Sequence, residues 1–193
     1  MDDYEVIRNW LKRNDIDEPN TKLLGWRGAN TNTSRNRLVS LDDKVSFDCE
    51  FIKWDRTNPE KLTAKNFLSF QEQVKKWRFL IDMEGIGYSG RLKLFLASPR
   101  AVFIQDRIHE EFFFSHLKPW IHYIPVRNDL LDIEEALEKI KSNPELERKI
   151  IVNQRRFSQL YLTRDYAKYY LAQILSNTEN PGLNFYNTES IQI

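Results

Sequence analysis

The stretch from Arg78 to Val126 constrains this chain more than any other, because it alternates short apolar runs with polar, turn-bearing ones. Phe79, Leu80 and Ile81 form a buried-strand run closed by Asp82, and a loop carrying Gly85, Gly87 and Gly90 follows. A helical pattern opens at Ser89 or Arg91 and runs through Leu92, Leu94, Phe95 and Leu96. Ala101, Val102, Phe103 and Ile104 make a second strand run, Glu110 to Leu117 a second helix, and His122 to Val126 a third strand. Strand, helix, strand, helix, strand in about fifty residues predicts parallel βαβ units and an α/β fold. Ligands of such sheets bind outside the carboxyl ends of the strands, where the loops Met83 to Gly90 and Gln105 to His109 belong.

The first of these loops carries the chemistry. Glycines after a strand let a backbone approach a ligand without Cβ clashes, and the N-terminus of the next helix offers unpaired N–H groups and a partial positive charge. Ser89 adds a hydroxyl, and Arg91, in the first turn, adds a charged fork suited to phosphate oxygens. A cation there opposes the helix macrodipole, so binding a diphosphate is preferred over a merely solvated arginine. Gly85-x-Gly87-x-x-Gly90 also matches the dinucleotide-binding fingerprint, with Asp106 where a ribose-binding acid would end the next strand, so an NAD-dependent oxidoreductase is the rival reading. Against it, that fingerprint normally follows the first strand of its domain, whereas strand-like runs at Leu23 to Trp26 and Val45 to Ile52 precede this one.

The segment YSGRLK and the later run EEFFFSHLKPWIHYIPV resemble the heart of glycosyltransferase family 90, which includes capsule-associated and lipopolysaccharide-modifying proteins and the Rumi-type protein O-glucosyltransferases. GWRGANTNTSRNRL resembles that family's earlier aromatic-Arg-Gly motif. The resemblance runs from about Leu23 to Lys141. It implies a Rossmann-like parallel sheet flanked by helices, the carboxyl half of a two-domain GT-B enzyme. That half holds a UDP-sugar donor, needs no metal or other cofactor, and passes the sugar to a glycan, lipid-linked or protein hydroxyl. By the same resemblance Arg91 contacts the diphosphate, with Gly87, Tyr88, Ser89 and Gly90 around it. Gln105 and Asp106 line the nucleotide, Arg27 and Gly28 belong to the earlier motif, and Glu111 accepts from a ribose hydroxyl. Relatives carry the acceptor's catalytic base in the amino-terminal half. The chain is then a fragment, works with a separate N-terminal half, or is an incomplete catalyst that binds nucleotide sugars without turnover.

Taken in order, Tyr4 to Arg13 reads as an amphipathic helix, and Asp15-Ile16-Asp17 as a linker in which a metal site is not expected. These form an N-terminal segment over 1–20, ahead of an α/β domain over 21–176 and a loose tail over 177–193. Lys22 to Trp26 predicts a strand, after which Arg27, Thr31 and Arg35 offer groups to a phosphate and sugar pocket while Ser34 caps a helix through Leu41. Val45 to Trp54 reads as a half-buried strand near a sheet edge, and Leu62 or Thr63 begins a helix through Trp77. Asn128 or Asp129 caps a helix through Ile140, Pro144 opens the next, and Arg148 to Leu162 and Arg164 to Leu175 read as two more. Tyr161, Tyr166, Tyr169 and Tyr170 form an aromatic cluster, read as core or a docking face.

Charge enters by exclusion. With 29 basic and 28 acidic residues the net charge is +1, so no global field favours nucleic acid or a membrane surface. No run approaches the ~18 apolar residues of a membrane helix, and the first residues do not read as a signal peptide. Cys49 is the only cysteine, which excludes an internal disulfide and suits the cytoplasm. His109, His116 and His122 do not share a ligand face, so no zinc site is expected, and His109 is an outside candidate near the nucleotide loop.

Overall fold

The computed structural model of the chain describes residues 4–13, 18–55 and 63–179. Five parallel strands form the sheet: β1 (Thr21–Gly28), β2 (Phe47–Phe51), β5 (Trp77–Asp82), β6 (Ala101–Gln105) and β7 (Ile124–Val126), in the order β2-β1-β5-β6-β7. Two short strands, β3 (Trp54–Asp55) and β4 (Thr63–Ala64), pair antiparallel apart from it. The helices are α1 (Tyr4–Arg13), α2 (Ser34–Ser40), α3 (Phe70–Lys76), α4 (Leu92–Ala97), α5 (Ile133–Lys141), α6 (Pro144–Tyr161) and α7 (Arg164–Glu179).

Strand alternation splits the core into two layers. Leu24, Trp26, Phe79, Ile81 and Phe103 face one layer, closed by Leu38 of α2 and by Ile133, Leu137 and Ile140 of α5. Leu80, Val102 and Ile104 face the other, where Ile7 and Leu11 of α1, Val74 of α3, Phe95 of α4 and Phe157 of α6 complete it. Of the expected tyrosine cluster only Tyr161 packs against this second layer, and Tyr169 is exposed. Tyr161 stacks on Phe157 and on His116, and Tyr166 and Tyr170 pack against Phe112.

Gly25 explains how β1 and β5 lie together. A Cβ built there would sit 1.7 Å from Cδ2 of Trp77, so the indole fills the room that a side chain would need. The ring is then anchored by its Nε1, which donates to Asp48 Oδ2 at 2.8 Å. Gly25→Ala is expected to destabilise the fold by about 3 kcal/mol or more, combining overpacking with loss of a hydrogen bond to a charged group. A urea midpoint equal to that of the unchanged chain would refute this account.

Several elements differ from expectation, each for a local reason. The predicted helix from residue 62 or 63 to Trp77 is only α3, because Asn66 ties its side chain to the backbone of Lys53 and Phe51 and holds the preceding segment extended. Ser69 and Glu72 then start the helix with reciprocal side-chain bonds to each other's amides. Glu110 to Leu117 yields a single 3₁₀ turn, Phe114–His116. Phe112 packs on Tyr166 and Tyr170, Phe113 on Phe157, and Phe114 under the Arg107 guanidinium, so no single face remains for an α-helix to bury. Thr33 rather than Ser34 precedes α2, and Asp132 rather than Asn128 or Asp129 precedes α5. Asn128 instead binds the Asp106 carbonyl, and Asp129 pairs with Arg127. The strand expected over Val45 to Trp54 is β2, at the sheet edge, with β3 separate. Asp15-Ile16-Asp17 and the tail beyond 179 lie outside the described residues.

Candidate functional site

The strand order sets the place. From β1 the chain moves outward to β2, and from β5 it moves outward the other way to β6, so a topological switch lies between the carboxyl ends of β1 and β5. Arg91 spans this crevice, its Nη1 donating to the Arg27 carbonyl at the end of β1 at 2.5 Å. Its guanidinium lies 5.6 Å from the Trp26 ring and 5.5 Å from the Phe95 ring, with the side chain about a quarter exposed.

Asp82, the fully buried last residue of β5, organises the floor. It accepts Ser89 Oγ at 2.6 Å and Arg107 Nη1 at 2.7 Å, and Arg91 Nε lies 3.7 Å away. Arg107 is itself buried, with further bonds to the carbonyls of Gln105 and Asp82. Arg35, on α2, donates to the carbonyls of Glu84, Ala29 and Met83 at 2.9, 2.7 and 3.1 Å and lies over the other part of the Trp26 environment, 5.3 Å from the ring. Burial and then the neighbouring Arg91 push the Arg35 guanidinium down to about 10, while Asp82 works the other way. Burial also lowers Arg91, Asp82 opposing and Arg107 adding to the effect. Three guanidinium groups thus crowd one carboxylate, and that local excess of positive charge suits an incoming anion.

The sequence-predicted residues divide on placement. Arg91, Ser89, Arg35 and Thr31 come together: Thr31 Oγ1 lies 3.6 Å, and Arg35 Nη2 3.3 Å, from where a Cβ on Gly85 would be. At Gly87 and Gly90 nothing lies within 4 Å of such a Cβ, so the backbone there borders open space. That differs from a dinucleotide fingerprint, whose third glycine admits close packing of helix on strand. Tyr88 is exposed, with Lys93 over its ring at 5.9 Å. Glu111 is bound by Lys93 through one oxygen, and its Oε1 is buried without a partner.

Arg27, Gly28 and Gln105 are engaged within the protein, and Asp106 lies beside a cleft at the ends of β6 and β7. The Arg27 guanidinium is buried on Asp48, Nη2 to Oδ1 at 2.7 Å, because its strand neighbour β2 brings that carboxylate alongside. Gly28 is needed by the Trp26 ring, 2.4 Å from a built Cβ. Gln105 is fully buried, its side chain bridges the Glu84 amide and the Asn128 carbonyl, and it borders the cleft beside Asp106. Asp106 is exposed beside an open cleft of about 280 Å³ whose walls include Arg107, Phe114, Tyr123, Pro125 and Asp132. In that cleft burial, then Asp106 and Glu110, push the Tyr123 phenol up.

Asp82, Arg107 and Glu84 were not singled out from sequence. The available signal was a carboxylate closing an otherwise apolar strand run, which must be paired if buried. Among the described residues no group of three or more His, Cys, Asp or Glu side chains is placed to hold a metal, and no helix is long and apolar enough to cross a membrane.

Comparison with known proteins places this arrangement. In solved structures the fold is similar to the C-terminal domain of a glycosyl transferase group 1 family protein from Francisella tularensis. That likeness has a TM-score of 0.51 at 11% identity, covering 85% of this chain and 95% of that one. Protein O-glucosyltransferase 2 of Danio rerio is 31% identical over 148 residues, 72% of this chain and 29% of the relative. Human protein O-glucosyltransferase 1 is 30% identical over 157 residues, 78% of this chain and 40% of the relative. The O-glucosyltransferase rumi of Drosophila pseudoobscura pseudoobscura is 28% identical over 162 residues, 79% and 39%. The chain therefore spans well under half the length of these curated relatives. Residues 13–180, which contain the whole sheet and the arginine-lined crevice, match glycosyl transferase family 90, and the chain belongs to that family.

Proposed function

We propose that this chain is the donor-binding part of a glycosyltransferase that takes a UDP-sugar and delivers the sugar to a hydroxyl acceptor. The observation that carries the reading is the crowding of Arg35, Arg91 and Arg107 around Asp82 at the β1/β5 switch, with Arg91 the member that reaches solvent. The diphosphate would lie across Arg91 and the open backbone at Gly87 and Gly90, with the hydroxyls of Ser89 and Thr31 alongside.

As the acceptor oxygen bonds to the anomeric carbon, the bond from that carbon to the phosphate oxygen breaks and negative charge builds on the departing UDP. A guanidinium already fixed over Trp26 and Phe95 meets that charge without reorganising, so it binds the transition state more tightly than the ground state. The relatives' names suggest a protein hydroxyl as acceptor, with a lipopolysaccharide or capsule glycan as the alternative class. No metal is assigned a role. The share of the relatives left unspanned gives room for an amino-terminal half that would supply the acceptor's base.

A melting-temperature screen tests the reading. UDP at a hundred times its dissociation constant adds about 2.7 kcal/mol to folding stability. In a domain of this size that is a rise of about 5–10 °C. A rise with NADH and none with UDP or UDP-glucose would point to the oxidoreductase reading instead.

A further inference from the structure

The mouth of the sheet holds one more built pair. Glu84, on the loop after β5, is 5% exposed, and its Oε1 accepts both the amide of His109 at 3.0 Å and the His109 Nδ1 at 2.7 Å. The Glu84 amide donates to Gln105, and its carbonyl accepts Arg35 Nε, so the carboxylate belongs to the same network as the crevice. An ionised carboxylate only accepts, so Nδ1 carries a hydrogen and Nε2 is the nitrogen turned away from the pair. The imidazole itself is 57% exposed, on the loop at the carboxyl end of β6. A loop histidine at the surface needs no buried carboxylate behind it. Burial pushes the Glu84 carboxyl up, but the His109 ring and amide outweigh that and hold it below the ordinary range.

We propose that His109, oriented by Glu84, is a protonation-dependent contact to the donor's diphosphate, its Nε2–H joining Arg91 on the departing phosphate oxygens. The inference rests on reading the crevice as a diphosphate site. Glu84 balances the imidazolium charge from behind, leaving the outward N–H free to donate. When the proton is lost, Nε2 becomes a lone pair facing a phosphate and the contact reverses sign. The charged groups near the pair include Arg107, which also acts on Glu84, Arg35, whose Nε bonds the Glu84 carbonyl, and the chain neighbour Glu110. A histidine switches its protonation over about pH 5 to 8.

The test is UDP affinity at pH 5.5 and 8.5 for the unchanged chain, His109→Gln, His109→Lys and Arg91→Ala, with uridine as the phosphate-free control. Comparing variants at one pH cancels the titration of UDP itself. At the lower pH His109→Gln is expected to bind UDP about tenfold more weakly than the unchanged chain, and at the higher pH about equally. His109→Lys, a permanent cation, should keep the tighter binding at both, and uridine should not distinguish the variants. Equal UDP affinity for His109→Gln at both pH values, with Arg91→Ala impaired, overturns this inference alone. So does an equal loss for uridine, which marks a merely structural role. UDP binding by Arg91→Ala as tight as in the unchanged chain overturns the diphosphate site and this inference with it. Should His109→Gln melt early, His109→Lys carries the comparison: it should match the unchanged chain at pH 5.5 and bind UDP about tenfold more tightly than it at pH 8.5, and equal affinities of the two at pH 8.5 are equally fatal.

Discussion

Arg91→Ala is expected to weaken UDP binding about 10- to 100-fold, the worth of a charge-assisted hydrogen-bonding fork, and to leave the chain folded. On the proposed reading, and with an amino-terminal half present, the loss in transfer rate should be larger, about 10²- to 10³-fold beyond binding, because the group would meet charge that develops only as the bond from the sugar to UDP breaks. Stability should change little. The substitution forfeits the guanidinium's packing on Trp26 and Phe95 and its bond to the Arg27 carbonyl, but it also relieves Arg35 and Arg107 of a like charge. Arg91→Lys keeps the charge without the planar fork and should fall between the two. Calorimetric titration with UDP and a circular-dichroism melt together decide the matter. Unaltered UDP affinity in a folded Arg91→Ala protein would remove the crevice from consideration as a diphosphate site.

Asp48→Ala should be the most damaging change to the fold, at about 3–5 kcal/mol, the cost of leaving a buried charge without its partner. The Asp48 carboxylate receives Arg27 Nη2, Lys44 Nζ, Lys76 Nζ and Trp77 Nε1, all within 2.8 Å. Lys44 and Lys76 are half and about a third exposed, so water screens them and most of the penalty comes from Arg27, which is 5% exposed. Arg27 would keep its Nη1 bonds to the Trp26 and Asp48 carbonyls, but those are neutral acceptors, its Nε is buried without a partner, and the Glu50 carboxylate lies 3.7 Å from Nη2. Losing the carboxylate also frees the Trp77 ring from its seat on Gly25. Such a cost is a large part of the roughly 5–15 kcal/mol that holds a domain together.

The same group fixes a pH dependence. Burial pushes the Asp48 carboxyl up, but the bonds from Lys44, Lys76, Arg27 and Trp77 outweigh it and hold it well below the ordinary range. Glu50 is pulled down to about 2, by Lys44 and then Asn66. A carboxyl depressed in the folded state contributes stability that is fully present above its unfolded value, near 4, and drains away as pH falls below that. Acid unfolding should therefore begin below about pH 4 and be shallower in Asp48→Ala. Urea midpoints at pH 7 and pH 3 check both points, and equal losses from pH 7 to pH 3 in the two proteins would sink the assignment.

The resemblance in YSGRLK and LKPWIHYIPV pointed to the family before any coordinate, and the parallel sheet was legible because Phe79 to Ile81 and Ala101 to Ile104 are apolar throughout, as only strands covered on both faces need to be. Arg91 was singled out because a cation just after a glycine loop has few local uses, and it lies at the β1/β5 crevice. What the sequence could not convey is which polar group finds which partner across strands. Arg27 and Asp48 are 21 residues apart, and only the register of β1 on β2 makes them an ion pair rather than two candidates for a ligand. Asp82 and Arg107 meet because β5 and β6 end side by side, and the three adjacent phenylalanines at 112–114 abandon a helix because each ring finds a different neighbour. Local pattern thus determined the strands and the glycine loop, since backbone conformation and burial repeat along the chain. Tertiary structure alone decided which charges are spent on one another and which remain for a ligand, since that depends on distances between segments that the order of residues does not encode.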